Sequence, residues 1–389
     1  MPEFLNNLDL DITSVAFAAV LLLFFIVQMV YYLYFFRGVV LRNKNLKKGK
    51  IAVQTAQPPV SVIICAKNEQ ENLKEFLPSV LEQNYPNFEV IVVNDGSYDD
   101  TEDVLNLMSQ KYSNLYYTTI PNDVKVLSHK KLAVTVGVKA AKNELLVFTD
   151  ADCKAMSNDW LSLMVRNFSP KTEFVLGFGD YFRKKTLINH LISFDTLFIA
   201  MQYLGFAYRG FPYMGIGRNM AYRKSTFFKK RGFAGHLHVT SGDDDLFVNS
   251  TASRENTQIE CAKESKTLSV PKSSFSRWLS QKRRHLSASP FYSAKSKRML
   301  GWEVLSRGMF YAFFTLLLLT KNWFFIIFAL SLFLIRFVTQ AIIINRTAKQ
   351  LDTRKFFLTI VFWEIILPLI SLYLSTIDKL FYGKKRNVW

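Results

Sequence analysis

The chain has 389 residues, 50% of them hydrophobic and 15% aromatic, with Lys+Arg 49 against Asp+Glu 31 and a net charge of +18. That apolar content excludes a disordered or low-complexity chain. Cys65, Cys153 and Cys261 lie far apart, with no CxxC and no Cys/His metal spacing, which excludes a disulfide scaffold and suits a reducing compartment.

The run Ser14–Phe36 is apolar and uncharged. At about 1.5 Å per residue it is long enough to cross about 30 Å of hydrocarbon. Glu3, Asp9 and Asp11 precede it; Arg37, Arg42, Lys44, Lys47, Lys48 and Lys50 follow. The positive-inside rule therefore places 1–13 outside the cell, 14–36 as a membrane helix, 37–57 as a basic cytoplasmic linker and the following domain in the cytoplasm. In the last third, Met309–Thr320, Trp323–Ile344 and Phe356–Thr376 are further apolar runs within a membrane region at 301–378 of two to three helices. The third contains Glu364 and Pro368 and leads to a basic tail at 379–389, so it either spans against the charge rule or is re-entrant.

Between them, 58–270 reads as an α/β domain. Val60–Cys65, Glu89–Asn94 and Leu145–Thr149 are short strand-like runs, separated by stretches of helical spacing at Glu71–Asn84, Asp99–Lys111 and Lys130–Ala141. That alternation argues a parallel sheet, which binds ligands at the carboxyl ends of its strands. The acids sit there: Glu69 after the first strand, Asp95 after the second, Asp150 and Asp152 after the third. Asp150-x-Asp152 offers hard oxygen ligands for Mg²⁺ or Mn²⁺. Asp243-Asp244-Asp245 is a later group whose mutual repulsion suits a general base, with Ser241 or Asp243 the expected helix cap. Leu187–Arg209, apolar but interrupted by Asn189, His190, Asp195 and Gln202, reads as either an interfacial or a core helix. A juxtamembrane segment at 271–300 holds the basic stretch Arg277–His285, which suits either a diphosphate or lipid headgroups.

These residues, in this order, resemble the family 2 glycosyltransferases, inverting enzymes with the GT-A fold. Cys65-Ala66-Lys67-Asn68-Glu69 is similar to the family's turn after its first strand, departing from it at Cys65 and Lys67 so that Asn68 and Glu69 carry the match, and Asn94-Asp95-Gly96-Ser97 is similar to its N-D-G-S. His129-Lys130, with Ala133 and Gly137, resembles its G-K-x-x-A-L-N-x-G stretch, with His129 for the glycine. Asp150-Ala151-Asp152 resembles its D-x-D, and Gly215-x-Gly217-Arg218-Asn219 its donor-sugar and acceptor floor. Asp243-Asp244 stands where the family has E-D or D-D. Gln281-Lys282-Arg283-Arg284-His285 resembles Q-x-x-R-W with His285 for the Trp, and Trp278, one turn earlier, is the candidate substitute.

The resemblance implies a Rossmann-like GT-A domain flanked by transmembrane helices in a multi-pass cell-membrane enzyme. It assigns Asp244, beside Asp243, as catalytic base, Asp152 as metal ligand, and Asn68, Glu69, Asp95, Lys130, Asp150, Asn219, Gln281 and Arg284 as donor-binding. The donor is a UDP-, GDP- or dTDP-sugar, and the acceptor a hydroxyl of a lipid or lipid-linked glycan. The alternatives are a processive polysaccharide synthase, disfavoured by His285, and a non-catalytic nucleotide-sugar sensor. Nucleic acid is not an expected partner, because the basic residues cluster beside the apolar runs. The sequons at Asn167, Asn249 and Asn345 are read as chance matches.

Overall fold

The computed structural model of the protein describes residues 11–124 and 126–377. Most of the 1–13 segment and the 379–389 tail lie outside the described residues.

β1 (Val60–Ala66), β2 (Phe88–Asn94), β3 (Leu115–Thr119) and β4 (Leu145–Asp150) lie in the order β3-β2-β1-β4, all parallel. β1 alternates its side chains between two cores. Ile63 faces one with Ile91, Val93, Leu146 and Phe148; Val62 and Ile64 face the other with Val90, Val92 and Val147. Helices cover both faces. His129–Ala140 lies on the first, close enough that an added Cβ at Gly137 would sit 2.6 Å from Ile63. Gln70–Leu81, Thr101–Lys111 and Trp160–Val165 cover the second.

The parallel sheet expected from the sequence is in fact mixed. After β5 (Cys153–Ala155), β6 (Phe174–Leu176) and β7 (Gly179–Tyr181), β8 (Met220–Arg223) runs antiparallel to both β4 and β6, and β9 (Thr257–Ile259) closes a seven-stranded sheet. β10 (Thr267–Ser269) joins β5 and β7 in a three-stranded sheet. These strands, of three or four residues each, are too short for an alternation to show.

Among the described residues, four helices are long and apolar enough to cross a membrane: Ile12–Lys47, Leu187–Tyr208, Ala294–Leu319 and Trp323–Gln350. The first runs past the expected membrane helix through a π-helical stretch at Tyr31–Phe36. Residues 38–47 are thus a docked helix rather than a linker, with Arg42 buried against Glu260 and hydrogen-bonded to Asn167. The Leu187–Tyr208 helix is mostly buried, packed against Gly38–Lys47, β7, β9 and two later helices, so the core reading of this segment stands. Its crossing with the first helix needs glycine on both sides: an added Cβ at Gly205 would meet Phe35 O at 2.5 Å, and one at Gly38 would meet Gly205 Cα at 2.9 Å. Ala294–Leu319 begins inside the segment expected to precede the membrane region, and Thr359–Ile377 is a helix carried through Pro368. The turn between the last two helices lies on the α/β domain, with Lys266 Nζ 2.7 Å from Asp352 Oδ2.

Candidate active site

Strand order turns at β1 and β4, and the crevice outside their carboxyl ends is where open α/β sheets bind ligands. Register puts Cys65 beside both Val93 and Asp150, so the loops after β1, β2 and β4 converge. Asn68 adopts a φ of 55° in the turn after β1, a conformation Asn tolerates. Its N–H donates to Ser97 Oγ (2.8 Å), and its side chain accepts from Tyr98 N (2.8 Å). It therefore laces two loops together. Glu69 Oε2 accepts from Asn72, and burial, with Asp152 and Asp150 nearby, raises its pKa.

Lys130, in the first turn of its helix, lies 3.1 Å from Asp150 Oδ1 and 3.5 Å from Asp243 Oδ2. Those two carboxylates hold its pKa well above the usual lysine value. Lys131 points the other way: its buried Nζ donates to His236 O and Val239 O, both at 2.6 Å, anchoring the loop that leads to Asp243. Asp244, rather than Ser241 or Asp243, caps the following helix, its Oδ1 accepting from Asp245 N at 2.7 Å. Its Oδ2 accepts from Gly217 N at 2.7 Å. An added Cβ at Gly217 would lie 3.4 Å from Asp244 Oδ2 and 3.7 Å from Lys130 Nζ, so this glycine floors the space between base candidate and lysine. Burial, and then Asp243, push the Asp244 carboxyl up to about 6. Burial and Asp244 likewise raise Asp245, whose Oδ2 accepts from Tyr292 Oη at 2.7 Å.

Asp150, Asp152 and Cys153 place their ligand atoms within 4.8 Å of one another. The Cys153 thiol is buried, 2.9 Å from Ser269 Oγ, and burial pushes its pKa well up, so it stays protonated and is no ligand for a hard cation. The carboxylates do fit one. Asp150 shares Lys130, whereas Asp152 has no ion-pair partner among the described residues, and burial and Asp150 raise its pKa. A divalent cation would relieve that repulsion.

The Phe275–Leu286 helix carries Gln281, Arg284 and His285 on one face by their i, i+3, i+4 spacing. Arg284 and Arg218 act on Asp150 and hold its pKa down together with Lys130, the largest favourable influence against burial. His285 lies among Arg284, Arg218, Lys130 and Asp243; burial and these cations push its imidazole down to about 4. Gln281 Nε2 donates to Tyr181 Oη (3.2 Å), and Arg218 covers the same ring at 4.3 Å. Trp278 is 4% exposed and packs in the core, so it cannot replace the missing Trp as an open face.

The structure therefore gathers Glu69, Asp150, Asp152, Lys130, Asp243, Asp244 and Arg284 around one cleft. Asp95 sits beside it, buried, with His129 Nδ1 at 3.1 Å and Lys67 Nζ at 3.6 Å. Two of the residues that depart from the motifs, Lys67 and His129, thus meet at one carboxylate. Asn219 is the correction. It is fully buried; Nδ2 donates to Phe178 O and Ser265 O and Oδ1 accepts from Trp160 Nε1, so nothing remains for a donor. Its sequence neighbour Arg218 faces the site instead. Tyr181 and Tyr292 also belong to this constellation; neither stands in a motif.

Residues 61–232 match the family described as Glycosyl transferase family 2. The chain is 29% identical over 205 residues to a probable glycosyltransferase, YdaM, of Bacillus subtilis, covering 51% of this chain and 48% of that protein. It is 27% identical over 138 residues to a poly-beta-1,6-N-acetyl-D-glucosamine synthase of Staphylococcus epidermidis, 35% of this chain and 32% of that one. A dolichyl-phosphate beta-glucosyltransferase of Trichomonas vaginalis is 30% identical over 144 residues, covering 31% and 43%. The matches thus span about half or less of these relatives. Among solved structures, the mannosyltransferase PcManGT of Pyrobaculum calidifontis, in complex with GDP-Man and Mn²⁺, aligns over 94% of this chain and 99% of its own, with a TM-score of 0.54 at 16% identity. Residues 61–232 thus resemble a glycosyl transferase family 2 domain and share the fold of a solved glycosyltransferase, accompanied among the described residues by four helices long and apolar enough to cross a membrane.

Proposed function

We propose that the protein moves a sugar, with inversion, from a nucleotide-diphospho-sugar to a hydroxyl of a lipid or lipid-linked glycan at the cytoplasmic membrane face. The observation that carries this reading is the placing of Asp244 and Lys130 on either side of Gly217, beside the Asp150/Asp152 pair. Asp244 has the raised pKa of a general base. Held by Gly217 N and Asp245 N, its carboxylate is oriented to take the acceptor proton as that oxygen attacks the anomeric carbon. Lys130 and Arg284 stand where they can stabilise the departing diphosphate. Asp152, with Asp150, would hold Mg²⁺ or Mn²⁺, which when bound offsets the diphosphate charge. Glu69 and Asp95 line the donor side, and Asp95 meets the nucleoside with His129 and Lys67 already engaged. The buried Trp278 leaves the Phe275–Leu286 helix with no tryptophan face for a growing polymer, which favours single transfer over processive synthesis.

The test is purified full-length protein with Mn²⁺, a panel of UDP-, GDP- and dTDP-sugars and a membrane lipid extract. One donor should label an organic-phase product bearing a single sugar. A ladder of products would replace single transfer with processive synthesis. Donor binding without turnover, in wild type as in Asp244→Asn, would leave only a sensor.

A further inference from the structure

A second cavity, of about 530 Å³, lies where the apolar helices meet the α/β domain. Tyr34, near the end of the first apolar run, forms one wall; Lys295, at the start of the Ala294–Leu319 helix, forms another. Tyr31 Oη donates to Met299 O at 2.7 Å, fixing these two helices at this level. Arg209, Arg254 and Lys295 line the cavity together with one acid, Glu255, whose charged form the neighbouring Arg254 favours; none of the three bases is within ion-pair distance of a carboxylate among the described residues. Arg209 is held in place, its Nε donating to Tyr34 O (2.8 Å) and its guanidinium 4.3 Å from that ring's centroid. Lys295 Nζ stands 4.4 Å from the Phe211 ring centroid. Three cations, of which Arg209 is held in place and Arg254 and Lys295 are exposed, outnumber the one lining acid, Glu255, beside the exposed Tyr34 ring, and so match a group that is anionic at one end and apolar at the other. The cavity is walled from the catalytic cleft by Tyr213 and Tyr292, both buried, with ring centroids 6.0 Å apart.

We propose that this cavity binds the phosphate of an anionic glycerophospholipid, a site separate from the acceptor's. Its acyl chains would lie along the apolar flank of Tyr34, and its phosphate among Arg209, Arg254 and Lys295. An occupied site would bridge the first helix, the Ala294–Leu319 helix and the end of the Asp245–Thr251 helix, whose other end is capped by Asp244.

The experiment is thermal unfolding of the full chain in neutral detergent, titrated with short-chain phosphatidylglycerol, phosphatidylcholine of the same length, or inorganic phosphate. Phosphatidylglycerol should raise the melting temperature while the other two do not. The variant R254Q/K295Q should need roughly thirtyfold more of it, at about fivefold per basic side chain lost. Lys295→Gln alone should need about fivefold more, a second readout should the double variant fold poorly. K47Q/K48Q, which removes basic charge from an exposed surface that does not line the cavity, should titrate as wild type. Equal effects of the two lipids, or a wild-type titration of R254Q/K295Q, would overturn the site. A full shift from inorganic phosphate alone would overturn the lipid as its source.

Discussion

Two groups of carboxylates in this chain have similar composition and opposite treatment. Among the apolar helices, Glu364 accepts from Arg336 at 2.8 and 3.0 Å, from Gln340 Nε2 at 2.7 Å and from Tyr311. Glu303 accepts from Arg307 at 2.8 Å, one helical turn on. Arg336 also donates to Gln28 Oε1 (3.0 Å), and Gln28 donates to Ser306 Oγ (2.8 Å), so the network ties four helices together. In the cleft, Asp150 and Asp243 share Lys130, Asp152 makes no ion pair among the described residues and is only partly offset by the charges of Arg218 and Lys272, and Asp244 is held by backbone N–H groups. Each acid in the first group is matched by a base; the second group has more acids than the fold neutralises. Buried charge is tolerated only when paired, so the first group belongs to stability. An unmatched group persists where something else supplies the countercharge, as in a site for a cation and a reacting substrate.

The comparison predicts that substitutions in the two groups fail in different currencies. The largest effect belongs to Asp244. Asp244→Asn keeps one amide oxygen, which serves either Gly217 N or Asp245 N but not both; losing one of these bonds costs about 1–3 kcal/mol, so fold and donor binding should survive with reduced stability. kcat should fall by about 10²–10⁴, the usual contribution of a general base. Asp243→Asn should be milder, because Asp243 faces Lys130 and holds no backbone donor. Near-normal turnover in Asp244→Asn with a dead Asp243→Asn would exchange the two assignments.

Glu364→Ala should do the reverse. Breaking a buried pair costs about 3–5 kcal/mol, because Arg336 is left uncompensated. The variant should lose folded protein in proportion to activity, with the kcat of the surviving fraction unchanged. Arg336→Met with Glu364→Leu should recover much of the loss, read as melting temperature in detergent. If the double variant is no better than Glu364→Ala, the network does more than neutralise itself.

A smaller effect follows from pH. With Asp244 pushed up to about 6, transfer should rise as pH increases through 6 and level off above it. For stability the sign runs against activity. A carboxyl whose pKa is raised on folding holds its proton more tightly in the native state, so its contribution is most favourable below the unfolded value of 3.8 and declines as pH rises through 6. A kcat profile flat from pH 5 to 8, with Asp244→Asn unchanged in shape, would separate Asp244 from the proton transfer.

The two groups also differ in how readily the sequence shows them. Asp95, Asp150 and Asp152 follow β-rich runs, and strand ends in an α/β sheet are where ligand chemistry collects, so local pattern was enough to bring these acids to one edge. Asn219 stands inside a motif, yet burial turned its amide inward and Arg218 outward; both lie in the turn before β8, where no strand or helix periodicity assigns a face. Lys67 and His129 were visible as departures, but their meeting at Asp95 depends on the packing of the β1 turn against the start of a distant helix. The network among the apolar helices was harder still. Gln28, Glu303, Arg336 and Glu364 come from four runs and pair only through helix packing, and the sequence displays them as isolated polar interruptions.

The most direct test of the account is the thermal unfolding of Asp152→Asn beside wild type, with and without Mn²⁺ and a nucleoside diphosphate. Without metal, removing one of two repelling carboxylates should leave the melting temperature equal to or above that of wild type. With each ligand at a hundred times its dissociation constant, wild type should gain about 5.4 kcal/mol, about 2.7 kcal/mol per ligand, and the variant should gain little and transfer little sugar. A metal-free Asp152→Asn that melts well below wild type, or an equal Mn²⁺-dependent gain in both proteins, would contradict the claim that the cleft acids are an incomplete site completed by a cation.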